Sequence, residues 1–316
     1  MTHLIKRLLL FSVPFLLYAL CIYLIDPFNF LGGPSIISTE IKKRTAYPLN
    51  YCLWKMPEFA RNPSPHLLLG DSRMDALKSE RVKELTGTDF FNLAYGGGTL
   101  REIVQSFWFA SRHANLNRVY IGLNFNLYTD YEQLDRTAEV LAIERAPALY
   151  FINRTVLKGA AFSVAGKWLN YDPRIGAVEE DRETFWKSQL GPLTEAFYIR
   201  YVYPRKYYGE LEKISLYSRQ HGVDLSFIIF PTHVELQNRV RDFGLEQQYA
   251  SFKQDLGSLA PTYDYDYPNE MTANKDNFSD PYHCRHECTD EIIQEVWSGH
   301  LKYGRLLSGY DHRAGF

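Results

Sequence analysis

The chain is 316 residues long with a formal net charge of −2, so it can bury a substantial core and lacks the basic surplus of a dedicated nucleic-acid binder. Its one dense basic cluster, Lys42-Lys43-Arg44, is expected as a solvated patch. Aromatic residues make up 15% of the chain, which suits core packing or a groove for sugar rings, and composition leaves the two open.

In chain order, Lys6 and Arg7 precede an uncharged run from Leu8 to Ile25 that Asp26 ends. About 20 apolar residues cross a bilayer, so the run sits at the short edge of a spanning helix. It is longer than the apolar segment of a cleaved signal peptide, and no small-x-small site comes after it. Positive charge ahead of the run keeps the N-terminus cytoplasmic and exports the chain beyond Asp26; Pro14 inside the run is tolerated in a bilayer. Residues 1–26 are therefore expected as a cytoplasmic tip and signal anchor, and 27–63, rich in Pro, Gly and aromatics, as a connector. Residues 64–316 are expected as one extracytoplasmic domain at the membrane.

Within that domain strand-length apolar runs alternate with amphipathic stretches. Strands are expected at 66–69, 89–94, 118–123 and 224–230. Helices are expected at 73–87, 99–113, 206–222 and 288–304, with Thr289 as an N-cap. Continuous apolar strands between helices mean a parallel sheet covered on both faces, a three-layer α/β/α sandwich with a central parallel sheet. Residues from about 126 to 203 break the rhythm with Tyr128, Tyr131, Tyr150, Phe151, Trp168, Tyr171 and Trp186. This stretch is an insertion: a lid, a docking surface or a structural cap.

Ligands of parallel sheets bind beyond the carboxyl ends of the strands. Three expected strands end there in polar or glycine-rich sequence: Gly70-Asp71-Ser72, then Asn92 with Gly96-Gly97-Gly98-Thr99, then Gly122-Leu123-Asn124. Acyl transfer needs a nucleophile, a base, a group that orients the base, and oxyanion donors. Ser72, placed at a helix start, is the candidate nucleophile. Among nine histidines His233 and His283 come after turn-forming residues, and only His283 has a carboxylate, Asp280, three positions before it. The Ser72 and Gly97 N–H groups and the Asn124 amide are the candidate oxyanion donors. Asp71, Arg73, Asn92 and His233 are the supporting candidates.

Two rival chemistries are weaker. The glycine run lacks the Gly-x-Gly-x-x-Gly pattern and any neighbouring lysine, so no phosphate-bearing cofactor is expected. His283, Cys284, His286 and Cys288 invite a zinc reading, but the spacing is too cramped for four ligands on one ion. Export would place Cys52, Cys284 and Cys288 in an oxidising compartment, where a Cys284–Cys288 disulfide is expected rather than a metal site. Cys21 is apolar filler in the anchor.

The combination resembles the SGNH (GDSL-type) hydrolase superfamily, whose four blocks contribute Ser, Gly, Asn and His. Gly70-Asp71-Ser72 matches the first block; Asn92, Gly97 and Thr99 the second; Gly122 and Asn124 the third; Asp280 and His283 the last. The blocks occur in order over roughly residues 64 to 305. Arg73 stands where the family has Leu, Ala94 where it has Gly, and Phe125 where an Asp often comes after the Asn. These departures resemble membrane-anchored relatives such as alginate O-acetyltransferase-like and teichoic-acid D-alanylation proteins. The resemblance implies that Ser72 attacks an acyl carbonyl, His283 takes its proton, Asp280 orients His283, and the oxyanion sits among Ser72, Gly97 and Asn124. It implies a serine esterase or O-acyltransferase acting on acyl groups, acetyl foremost, of an envelope polysaccharide. A membrane-embedded acyl-donor protein is an expected partner, and no cofactor is needed. The alternative is a non-catalytic, membrane-anchored glycan-binding or accessory subunit that keeps the fold. Arg73 beside the serine suggests a preference for anionic glycans.

Overall fold

The computed structural model of the chain describes residues 2–131, 134–173 and 180–307, and the side chains of 2–6, 8 and 9 lie outside the described set. So do parts of the expected insertion (132–133 and 174–179) and the last nine residues of the expected domain. Two compact units make up the chain: Met1–Arg61 with Arg136–Val178, and Asn62–Asp135 with Glu179–Phe316.

The second unit is built on a sheet whose strands are apolar because helices cover both its faces. In chain order these are β1 (His66–Leu69), β2 (Phe91–Asn92), β3 (Arg118–Gly122), β4 (Asp224–Ile229) and β5 (Thr262–Asp264). A separate hairpin comes next, β6 (Phe278–Asp280) with β7 (His283–Cys284), and then β8 (Arg305–Leu307). The sheet order is β2-β1-β3-β4-β5-β8, parallel except for the antiparallel β8. Leu69 pairs with Ile121 and Gly122 with Ile228, so the carboxyl ends of β1, β3 and β4 lie level. The chain runs outward from β1 to β2 and then returns to the other side of β1. That reversal between β1 and β3 opens the crevice in which doubly wound sheets hold ligands.

Alternation along the strands sends Leu68, Tyr120 and Ile228 to one face. There they pack with Val82 of the helix Ser79–Thr86 and with Ile292, Ile293 and Val296 of the helix His286–Ser298. The helices Leu100–His113 and Arg205–His221 pack against each other and against β1 and β4, and Glu246–Leu259 packs on the latter helix. Thr99 caps Leu100–His113 through a reciprocal pair with Glu102. Gly222, with φ of +68°, closes Arg205–His221 as its sequence position predicts.

Two expected helices differ. The stretch 73–87 is two helices, Ser72–Asp75 and Ser79–Thr86, because the Asn92 amide binds the carbonyls of Met74 and Leu77 where a continuous helix would bond them internally. The last helix starts at His286 with Arg285 at the N-cap and stops at Gly299, φ +78°. Thr289 lies inside it, its hydroxyl bonded back to the Arg285 carbonyl at 3.1 Å.

The expected connector is folded. In the first unit, helices Thr39–Thr45 and Tyr51–Arg61 pack with Thr137–Arg145 and Arg154–Trp168. Asp26 is buried: its carboxylate accepts from the Tyr150 hydroxyl at 2.6 Å and from the N–H groups of Phe30, Leu31 and Gly32. Lys42, expected on a solvated patch, is buried as well, and that burial lowers its pKa against the pull of Asp26. The helix Thr2–Ile25 holds the apolar run. Among the described residues no helix is long and apolar enough to cross a membrane; continuous described side chains begin only at Leu10. The insertion thus divides between the units, and most of its aromatics are packing. Tyr128 and Tyr150 are fully buried, Trp186 nearly so, and Trp168 is exposed.

Candidate active site

Every residue of the expected site belongs to the second unit. Leu67, Leu68 and Leu69 are fully buried and end β1, so the chain leaves the sheet at Gly70 and presents Ser72 at the crevice. A side chain at Gly70 would strike Met74 Cβ at 2.7 Å and the Gly122 carbonyl at 3.0 Å, so the crossing between β1 and β3 has room only for glycine. Asp71 caps the short helix by accepting the Arg73 N–H at 3.0 Å. That helix has four residues, and what it offers is the Ser72 N–H, which has no intrahelical acceptor.

The hairpin of β6 and β7 supplies the base. Its turn, Pro281-Tyr282, brings His283 back over Asp280, whose Oδ2 and Oδ1 lie 2.9 and 3.0 Å from His283 Nδ1. Asp280 Oδ1 also accepts the N–H groups of Tyr282 and His283, at 2.9 and 3.2 Å, so the turn's own backbone fixes the carboxylate. Two carboxylate oxygens on Nδ1 place the proton there and leave Nε2 as an acceptor. Ser72 Oγ lies 2.7 Å from that Nε2. The serine is half-buried and the imidazole 37% exposed, so a substrate carbonyl can reach them. The structure therefore brings Ser72, His283 and Asp280 into one hydrogen-bonded chain.

The supporting residues divide differently from the sequence reading. Asn92 stays beside the site: its Nδ2 donates to the carbonyls of Met74 (3.0 Å), Asp75 (3.4 Å) and Leu77 (3.1 Å), and its Oδ1 accepts the Ala94 N–H. It terminates the helical turn that carries Ser72. Arg73 is a correction. Its side chain is 4% exposed, its Nε and Nη2 bind Asp71 at 3.0 and 2.5 Å and Nη2 also binds Asn126 Oδ1 at 3.0 Å, while its Nη1 is buried without a hydrogen-bond partner. Burial works against the charge, and Asp71 outweighs it and raises the pKa. A guanidinium so enclosed is not offered to an anionic glycan in solvent.

Asn124 lies two residues beyond β3. It is buried, with Nδ2 donating to the Phe230 carbonyl at 2.6 Å and Oδ1 accepting the Phe230 N–H at 3.2 Å. The side chain thereby ties the end of β3 to the end of β4. Asn126, two residues on and unnoticed in the sequence, has its oxygen fixed by Arg73, so its amide nitrogen is the group it can offer elsewhere. Gly97 sits at an exposed turn with φ of +60°. The tight neighbour of the serine loop is Gly98: a Cβ there would meet the Gly70 carbonyl at 2.9 Å and Asp71 Cα at 3.2 Å. Only the triple-glycine run hinted at that approach.

His233 is not the base. Its Nδ1 accepts the Glu235 N–H at 3.3 Å as a helix N-cap, its ring lies edge-on to Trp186 and Phe278, and burial lowers its pKa. Its backbone N–H holds the Pro281 carbonyl at 2.9 Å, so it steadies the Asp280–His283 turn. All four cysteines are free, so the Cys284–Cys288 disulfide is not formed. Cys288 lies in the core one turn into its helix; a hydrogen bond with the Cys284 thiol, and after it burial, pushes its own thiol up. Among the described residues no group of three or more His, Cys, Asp or Glu is placed to hold a metal ion.

No family model and no curated protein matches the chain. Solved structures do. A protein provisionally named as a platelet activating factor from Streptococcus pneumonia shares 10% identity at a TM-score of 0.40, over 82% of this chain and 94% of that one. A provisionally named acylhydrolase from Bacteroides fragilis shares 8% at 0.40, over 76% and 90%. A GDSL-like lipase from Bacteroides thetaiotaomicron shares 9% at 0.37, over 74% and 88%. These are distant likenesses, and the candidate site stands on its own geometry.

Proposed function

We propose that the chain is a serine esterase or O-acyltransferase with Ser72 as nucleophile, working on acyl groups of an extracytoplasmic cell-envelope polysaccharide. The observation that carries this reading is the 2.7 Å contact of Ser72 Oγ with His283 Nε2, backed by Asp280 at 2.9 Å on Nδ1. Ser72 Oγ adds to the acyl carbonyl carbon while Nε2 accepts the hydroxyl proton. Asp280 stabilises the imidazolium that forms and keeps its orientation. The tetrahedral oxyanion is held by the Ser72 and Gly97 N–H groups and by an amide. That amide is Asn124, whose Nδ2 gives one N–H to the Phe230 carbonyl and has a second to give; Asn126, bonded to Arg73, is the other amide at this end of β3. As the C–O bond breaks, His283 returns the proton to the leaving alcohol. Water then completes hydrolysis, or a sugar hydroxyl completes transfer, by the same proton route in reverse.

Membrane attachment through residues 8–25 belongs to this proposal. It is supported by exposed Leu10, Phe11, Phe15, Leu16, Leu17 and Leu20 on the N-terminal helix, apolar surface that a lipid environment would cover. A membrane-embedded acyl donor would then share the same plane.

The test is labelling of the full chain with a fluorophosphonate and turnover of a p-nitrophenyl ester. Wild type is expected to label and turn over, and Ser72→Ala to lose labelling and at least about 10⁴-fold in kcat. Equal inertness of both, with glycan binding retained, would instead establish the accessory-subunit reading.

A further inference from the structure

Between Ala146 and Tyr171 the chain carries three cations, Arg154, Lys158 and Lys167, and no acidic residue. Asn153 caps the helix Arg154–Trp168 by accepting the Val156 N–H at 3.0 Å. One face of that helix is buried through small residues. A Cβ at Gly159 would meet Phe28 at 3.0 Å, one at Gly166 would meet Thr45 at 2.8 Å, and the Ser163 hydroxyl bonds that of Thr45 at 3.1 Å. The opposite face, with Arg154, Leu157, Lys158, Ala161 and Trp168 at helical spacing, is exposed. Apolar exposure is heaviest at the two ends, Ile152 at 67%, Trp168 at 59% and Leu169 at 79%. Lys158 and Lys167 lie over the rings of Phe162 and Trp168, 5.3 and 4.9 Å from the centroids. Both ends of the helix are tied to the last turns of the apolar N-terminal run. The Tyr18 hydroxyl donates to the Phe151 carbonyl; Lys167 Nζ donates to the Ile36 carbonyl at 2.7 Å, and the Ile36 N–H to the Leu24 carbonyl at 2.9 Å. The helix therefore lies where that run ends.

We infer that the helix Arg154–Trp168 is a second membrane contact, lying in the headgroup layer of a bilayer that contains anionic phospholipid. The inference rests on the membrane attachment through residues 8–25 proposed above and extends it from a tether to a docked surface of the first unit. Leu157, Trp168 and Leu169 enter the boundary between headgroups and acyl chains, where an indole ring with one polar edge is favoured. Arg154, Lys158 and Lys167 meet the phosphates while their apolar stems lie along the same surface. Each cation near an anionic leaflet contributes about fivefold in partitioning, so the three together contribute about a hundredfold at low salt. An acidic polysaccharide would also take the cations, but it gives no reason for exposed Ile152, Leu157 and Leu169, which have no hydrogen-bonding group or ring face to offer a sugar.

The experiment reconstitutes the full chain into vesicles of phosphatidylglycerol and phosphatidylcholine in which part of the lipid carries bromine on its acyl chains. Trp168→Phe removes one of five tryptophans, so the difference between the two quenching curves reads Trp168 alone. Wild type is expected to lose more emission than Trp168→Phe, and most with bromine at the headgroup end of the chain. A second measurement disables the anchor with Leu16→Lys and Leu17→Lys and sediments that full-length variant with vesicles of either lipid alone. It is expected to bind phosphatidylglycerol and not phosphatidylcholine, to be released by salt, and to lose about 25-fold in affinity when Arg154→Gln and Lys158→Gln are added. Equal quenching of wild type and Trp168→Phe, with both in the vesicle pellet, overturns the inference and leaves the anchor standing. So does an anchor-disabled variant that binds an acidic polysaccharide but neither vesicle. Wild-type protein that does not enter vesicles at all overturns both.

Discussion

At the scale of single residues, Arg73 separates a charge that is displayed from a charge that is consumed. Its neighbours in sequence suggest a cation beside the site; its surroundings make it half of a buried pair with Asp71. Removing one partner of such a pair costs about 3–5 kcal/mol, because the other charge stays buried without compensation. Arg73→Leu is therefore expected to lower the unfolding free energy by about that much in a urea titration. Asp71→Asn combined with Arg73→Leu should recover much of the loss, since Asn keeps the helix cap and no charge is stranded. An unchanged urea midpoint in Arg73→Leu, with altered preference between charged and neutral glycans, would contradict this and restore the displayed-charge view. Ser72, Asp280 and His283 are legible in the sequence because each is defined by a local pattern. The tie of Asn124 to Phe230 is not legible there, since it depends on where β4 ends, more than a hundred residues away.

At the scale of elements, the long apolar strands β1, β3 and β4 are legible to within a residue, because burial on both faces leaves a continuous hydrophobic signature. The strands β5 to β8 are not, being two or three residues long and held by pairing rather than by pattern. The β6–β7 hairpin matters most, because it carries the acid and the base, and His233 anchors its turn. Burial lowers the His233 pKa, with Glu235 opposing and Lys275 and Arg182 adding to the effect. The unfolded chain therefore takes up a proton near the ordinary value of about 6.5, before the native one does. The unfolded state binds more protons in that window, so native stability is full above it and falls as pH drops below about 6.5. Urea midpoints between pH 8 and 5 should show this loss, and His233→Asn, which retains an N-cap, should show less of it. A variant whose midpoint falls as steeply as wild type would assign the acid sensitivity elsewhere.

At the scale of the molecule, no local pattern could announce that residues 27–61 fold with 136–173, because the unit's helices come from two stretches separated by β1 to β3. What the sequence does announce is the apolar N-terminal run, and in the structure most of its described side chains are exposed, Leu10 at 75%, Phe11 at 70% and Leu16 at 65%, with Ile22 and Ile25 buried at its end. Water-facing leucines on one helix are costly at that density; in hydrocarbon they are favourable, each by a few tenths of a kcal/mol at mid-helix. Asp26 at the helix end is already satisfied by Tyr150 and three N–H groups, so the chain can leave a bilayer there without an unpaired carboxylate. The full-length protein is accordingly expected to stay with the membrane pellet after alkaline carbonate washing and to enter solution only with detergent. Leu16→Lys with Leu17→Lys would place two charges at mid-helix, at about 3 kcal/mol each, and should move the protein to the wash. Fluorophosphonate labelling of Ser72 in that released variant would show that attachment and chemistry are separable. Wild-type protein in the carbonate supernatant would remove the anchor and, with it, the reason to place the acyl acceptor at the cell envelope.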